Sequence, residues 1–159
     1  MTLRLADPDR ALETGRRLGR LLRAGDLVVL TGGLGAGKTT LTRGIGEGLD
    51  VRGAVTSPTF VIARIHPPLG DGPELVHVDA YRLGGATELD DLDLDAELDE
   101  AVTVVEWGAG LAEGLAEDRL EITLVADPAT EERTMEVRTV GERWSGIDVE
   151  ARLAEGSGT

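Results

Sequence analysis

The chain has no cysteine in its 159 residues. That excludes a disulfide framework, a thiolate zinc site, an iron–sulfur cluster and a cysteine nucleophile. It has only 2 histidines, too few for a multi-histidine metal centre. Aromatic residues make up 3% of the chain. No apolar run approaches the ~20 residues that span a bilayer. The first residues, Met1 to Pro8, form no apolar leader core, so export is not expected and the cytoplasm is the expected compartment. Basic charge is also scarce: 16 Lys and Arg face 30 Asp and Glu, a net charge of −14. A chain this acidic repels a phosphate backbone, which argues against autonomous nucleic-acid binding. The scarcest charged residue is lysine. Lys38 is the single one, and every other cationic side chain is Arg.

What is present describes a folded domain. Hydrophobic residues are 41% and charged residues 29% of the chain, proportions of a globular core with a solvated surface. The length is that of one domain able to bury a core without staples. We expect a single domain over 1–152 and a flexible tail over 153–159. The charge is uneven. Residues 1–53 hold 9 Arg and Lys against 6 Asp and Glu, whereas residues 71–100 hold 1 against 11. Such an acidic block reads first as a solvated face and second as a docking surface for a basic partner.

The lone lysine stands in a motif. Residues 32–39 read Gly32-Gly33-Leu34-Gly35-Ala36-Gly37-Lys38-Thr39, matching G-x-x-x-x-G-K-[ST]. Before it, Asp26 to Thr31 is a short aliphatic run that reads as a buried parallel strand. After it, Leu41, Ile45 and Leu49 recur at helical spacing. Strand, glycine loop and helix is the order this motif requires. The glycines let successive N–H groups converge on an anion, and the helix start adds partial positive charge. The Lys38 ammonium reaches the β- and γ-phosphates as a point charge, where a planar guanidinium does not fit. The Thr39 hydroxyl is placed for Mg²⁺. Gly44, Gly46 and Gly48 inside the helix weaken it and point to close helix–sheet packing or a marginal helix.

The remaining elements follow from pattern. Asp7 caps a helix over 8–24 that opens with Pro8 and turns Leu12, Leu18, Leu21 and Leu22 inward. Ser57-Pro58-Thr59 leads into a strand from Phe60. Residues 74–79 and 101–106 are strands that each end on a carboxylate, Asp79 and Glu106. Residues 86–99 read as an acidic helix. Residues 119–126 alternate Leu120, Ile122, Leu124 and Ala126 on one face, and 132–140 is the strand that returns. A short C-terminal helix follows. The fold expected is an α/β P-loop NTPase: a mostly parallel central sheet flanked by helices, with an antiparallel C-terminal hairpin. Nucleotide is expected at the C-terminal ends of the parallel strands. A P-loop enzyme needs a carboxylate at a strand tip to hold Mg²⁺ and a polar group to orient water. Asp79 and Glu106 both fit, and spacing alone does not divide the two roles.

These pieces together resemble the bacterial TsaE family, the ATPase subunit of the machinery that makes threonylcarbamoyladenosine in tRNA. The resemblance rests on Leu34-Gly35-Ala36-Gly37-Lys38-Thr39-Thr40, Ser57-Pro58-Thr59-Phe60, His77-Val78-Asp79-Ala80-Tyr81-Arg82 and Glu106-Trp107, in that order and spacing. It implies that the loop residues Leu34 to Thr40 bind the phosphates of ATP. It implies that Thr39 with Glu106 holds Mg²⁺, and that Asp79 is needed for hydrolysis. Ser57-Pro58-Thr59 resembles a nucleotide-responsive switch. Tyr81, Arg82 and Trp107 fall near the site, and Arg133 falls near the nucleotide end of a late strand. His77 reads as a strand residue rather than a ligand. Gly33 departs from the family, which usually has Asp or another polar residue there. The implied partners are the threonylcarbamoyl-transferase subunit and its companion, a heterodimer; tRNA is reached only indirectly, and no membrane is involved. Two other classes remain. A small-molecule P-loop kinase ranks second, because its candidate lid over 82–100 is acidic and repels phosphate. A non-catalytic nucleotide-dependent adaptor ranks third. A standard GTPase is excluded, because its N-K-x-D segment needs a second lysine.

Overall fold

The computed structural model describes residues 2–5, 7–32, 37–51, 63–70, 72–79, 100–106, 118–127, 129 and 132–154. In chain order these form β1 (Thr2–Leu5), α1 (Pro8–Leu21), β2 (Leu27–Gly32), α2 (Lys38–Leu49), β3 (Ala63–His66), β4 (Glu74–Asp79), β5 (Ala101–Glu106), β6 (Arg119–Ala126) and β7 (Arg133–Val140). A 3₁₀ turn (Glu142–Trp144) and α3 (Val149–Ala154) complete the chain. The helix expected over 86–99 lies outside the described residues.

The strands make one seven-stranded sheet in the order β1-β7-β6-β2-β5-β4-β3. Its centre is parallel: β2 pairs with β5 and with β6, and β4 pairs with β5. Both margins are antiparallel, β3 on β4 at one side and the β6–β7 hairpin with β1 at the other. The expected α/β class, parallel centre and C-terminal hairpin are therefore what the chain adopts. The central strands β2 and β5 are aliphatic runs because both their faces are buried. Val28, Leu30, Val102 and Val104 join one core cluster with Leu18, Leu41 and Ile45 of the two helices, and the alternate residues Leu27, Val29 and Val105 are buried on the opposite face. On β6 the alternation holds for Leu120, Ile122 and Leu124. It fails at Ala126, which is exposed where the strand runs past the core.

Helix α1 begins as the sequence predicts. Asp7 is in extended conformation and its carboxylate accepts a 2.8 Å hydrogen bond from the Arg10 N–H, with Pro8 in the first turn. The helix ends at Leu21, three residues before the expected end at 24. Of the expected leucines, Leu18 and Leu22 are buried and Leu21 packs against the core, while Leu12 is only half-buried. The buried face of the helix also takes in Ala11, Thr14, Gly15 and Gly19, small residues at helical spacing. The reason lies across the interface. A Cβ added to Gly15 would lie 2.9 Å from the Gly44 Cα, and one on Gly19 would lie 2.9 Å from the Gly48 Cα. Gly44 and Gly48 of α2 thus serve close packing of helix on helix, where helix–sheet packing or a marginal helix was expected.

Two further differences concern the termini. Thr2–Leu5 is a strand, not read as one from sequence, whose partner is β7 with Leu5 in register with Arg133. At the other end α3 continues to Ala154 and buries Leu153, so the helix passes the expected domain boundary at 152. Between them, Asp26 is buried in the turn before β2. It accepts from the Arg23 N–H at 2.8 Å and pairs with the Arg143 guanidinium at 2.9 and 3.1 Å. No helix among the described residues is long and apolar enough to cross a membrane.

Candidate functional site

The site begins where β2 stops and α2 starts. Gly37 is the N-cap of α2 with φ +98°, a left-handed conformation that an L side chain rarely adopts. Open space surrounds the position a Cβ would take there, so backbone geometry and not crowding calls for glycine. Gly37 has no side chain with which to cap the helix, and the first turn contains no acidic residue. The start of α2 carries the partial positive charge of a helix N-terminus, the arrangement that suits an anion. Leu34, Gly35 and Ala36, with the family-departing Gly33, lie outside the described residues.

Lys38 opens the helix. It is buried, and its ammonium donates a 2.7 Å hydrogen bond to the Gly32 carbonyl at the end of β2. The side chain thus reaches back to the end of β2. Thr39 and Thr40 follow in the same first turn, each half-buried. Burying an ammonium requires polar partners, and the Gly32 carbonyl is one of them.

The carboxylates arrive from the neighbouring strands. Glu106 ends β5 in register with Leu30 of β2, and Asp79 ends β4 in register with Glu106. Both expected carboxylate positions therefore stand at the C-terminal edge of the parallel sheet, Glu106 beside the strand that feeds the loop and Asp79 one strand further out. Glu106 is buried, two residues beyond Val104 on the face that packs against the helices. The side chain of Asp79 lies outside the described part. So do Ser57, Pro58, Thr59, Tyr81, Arg82 and Trp107. Arg133 opens β7 in register with Ala126, at the end of β6 that lies on this same edge of the sheet.

One residue enters that was read only as part of a strand. His77, fully buried on β4, places Nε2 2.5 Å from Oε2 of Glu106. The pairing joins adjacent parallel strands across 29 residues of sequence. The available signal was the apolar run Leu75-Val76-His77-Val78, in which a polar ring at a core position needs a partner.

The donor set fits the groups that the motif implies. A hydroxyl at the helix start and a carboxylate at the strand tip are hard oxygen donors of the kind Mg²⁺ takes, and a helix start with a buried ammonium suits phosphate. Among the described residues no three His, Asp or Glu side chains gather into a metal cage. A Mg²⁺ bound largely through water and substrate phosphates needs none.

Comparison with known proteins agrees with this architecture. The family model described as "Threonylcarbamoyl adenosine biosynthesis protein TsaE" matches residues 5–135. A Streptomyces coelicolor protein named tRNA threonylcarbamoyladenosine biosynthesis protein TsaE is 67% identical over 141 residues, 86% of this chain and 95% of its own. A protein of the same name from Mycobacterium bovis is 52% identical over 130 residues, 77% of each chain. The crystal structure of Bacillus subtilis YdiB superposes with a TM-score of 0.75 at 29% identity, over 97% of this chain and 93% of that one.

Proposed function

The chain belongs to the TsaE family, and from that premise we propose that it is a Mg²⁺-dependent ATPase of tRNA threonylcarbamoyladenosine biosynthesis. It binds ATP at the loop between β2 and α2. Its hydrolysis permits repeated rounds of threonylcarbamoylation at the adenosine beside the anticodon. It acts through the threonylcarbamoyl-transferase subunit and its companion, and it touches tRNA only through them. The observation that carries this reading is the buried Lys38 ammonium on the Gly32 carbonyl, at the start of α2.

The residues divide the work as follows. The first-turn N–H groups of α2 and the Lys38 ammonium bind and orient the phosphates by charge-assisted hydrogen bonds. Thr39 and Glu106 hold Mg²⁺, which when bound neutralises charge on the phosphates. Asp79, at the end of the adjacent strand, orients the attacking water. Arg133 approaches the nucleotide from the sheet edge. The net charge of −14 keeps the isolated chain off tRNA and supports a role exerted through protein partners.

The test is reconstitution of tRNA modification with the transferase heterodimer and ATP, with and without this chain. Multiple turnovers are expected only in its presence, and Lys38→Ala is expected to remove the effect. Lys38→Arg is expected to fail as well, because the guanidinium does not enter the ammonium's slot. A heterodimer that turns over at the same rate without this chain would refute the assignment.

A further inference from the structure

The contact between His77 and Glu106 has a defined polarity. Nε2 of His77 faces the carboxylate oxygen, while Nδ1 is buried with no hydrogen-bond partner. An imidazolium, or a neutral ring accepting a hydrogen bond at Nε2 from a protonated Glu106, would leave an N–H at Nδ1 buried and orphaned. A neutral ring protonated at Nδ1 would do the same, and would also set two acceptors against each other at 2.5 Å. The arrangement that orphans only a lone pair is the neutral ring donating from Nε2 to an ionised Glu106. Buried N–H groups are left unpaired more rarely than acceptors. This ring is also held firmly: it is fully buried, in the middle of a strand paired on both sides, with Val104 its register partner on β5.

We propose that His77 is a positioning residue for Glu106. It donates Nε2–H to Oε2, fixes the carboxylate at the end of β5, and leaves Oε1 for the cation. This rests on the reading above that Glu106 helps to hold Mg²⁺. Carboxylates that ligate metals are themselves hydrogen-bonded, and loss of such a support costs about 10- to 100-fold in metal affinity or activity. A histidine that merely fills the core predicts no such loss once the fold is retained.

The experiment uses the full chain with His77→Leu and His77→Gln. Leu has similar bulk and no donor. Gln carries an amide N–H at about the reach of Nε2. Binding of a non-hydrolysable ATP analogue is followed by calorimetry against Mg²⁺ concentration and again in EDTA, with circular dichroism as the check of folding. The half-saturating Mg²⁺ is expected to rise about 10- to 100-fold in His77→Leu. Binding in EDTA is expected to stay at the wild-type level, and Gln is expected to restore most of the Mg²⁺ dependence. Should Leu not fold, His77→Asn keeps polarity with too short a reach and takes its place. A folded Leu or Asn variant with wild-type Mg²⁺ dependence overturns the proposal, as does a Gln variant no better than Leu. Wild-type protein that binds the analogue without any Mg²⁺ dependence overturns instead the reading on which the proposal rests.

Discussion

Gly44→Ala sets two effects of opposite sign against each other. By helix propensity the substitution stabilises α2 by about 1 kcal/mol. By packing it does the reverse. The new Cβ would come under 3.0 Å from the Leu12 carbonyl oxygen, and would lie 2.9 Å from the Gly15 Cα and 3.0 Å from the Arg16 nitrogen. All three are backbone atoms, so no rotamer change relieves the contact. The helices must part by roughly 1 Å to restore ordinary carbon contact distances, which forfeits up to about half of the dispersion well along the interface. Overpacking of this kind costs about 1–3 kcal/mol, and an all-backbone clash belongs at the upper end. The net expectation is a loss of about 2 kcal/mol, or roughly 4–8 °C in Tm for a chain of this size. Thermal and urea unfolding followed by circular dichroism measure it. Gly70→Ala is the control, because a Cβ there meets nothing within 4 Å. The double variant Gly15→Ala with Gly44→Ala is expected to cost less than the sum of the singles, since one displacement accommodates both methyls. A Gly44→Ala protein as stable as wild type, or more so, would refute the packing argument and leave propensity in command.

Other expectations are independent of that interface. Arg143→Ala removes the guanidinium from the buried Asp26 carboxylate, and from its stacking position 4.3 Å over the Trp144 ring. It is expected to cost about 3–5 kcal/mol, partly recovered when Asp26→Ala is added, as read by urea unfolding. Asp7→Ala deletes the N-cap of α1 and is expected to cost about 1 kcal/mol in the same assay. The Arg17 guanidinium beside Glu13, hydrogen-bonded to it at 3.2 Å, holds its carboxyl below the ordinary value. Because the folded-state value is the lower one, the pair stabilises the fold above the ordinary carboxylate range and loses that contribution as pH falls through the lowered value. An NMR titration of Glu13 is expected to move upward in Arg17→Ala.

What was legible in the sequence follows the range of the forces involved. Glu74–Asp79, Ala101–Glu106 and Arg119–Ala126 were readable to the residue, because each is an aliphatic or alternating run with polar punctuation at both ends. The Asp7 cap was readable because its donor lies three residues away. Thr2–Leu5 was not, because four residues carry little pattern and the strand exists only through pairing with Arg133–Glu136 at the far end of the chain. The same limit applied at the site. Lys38 and Glu106 were found through local motif and strand end. The partnership of His77 with Glu106 was hidden, since it depends on the parallel register of β4 and β5.

The small-residue interface then explains why the site stands where it does. Helix α2 carries Lys38 and Thr39 at its first two positions, so any shift of the helix axis moves the ammonium and hydroxyl with it. An interface of leucines has rotamers to absorb such a shift. Backbone against backbone at Gly15, Gly19, Gly44 and Gly48 has none, and the approach of α1 fixes that of α2. Helix α1 is in turn held at both ends: Asp7 caps its start, and the Arg143 guanidinium donates to the Leu21 carbonyl at its last residue, at 3.2 Å. The same guanidinium grips Asp26, at the foot of β2. One arginine near the C-terminus thus ties the end of the supporting helix to the start of the strand that leads into the loop. The loop is framed on one side by a strand anchored at its base and on the other by a helix without slack. That rigidity is what a charge-positioning site requires, since electrostatic stabilisation depends on donors already in place when charge arrives.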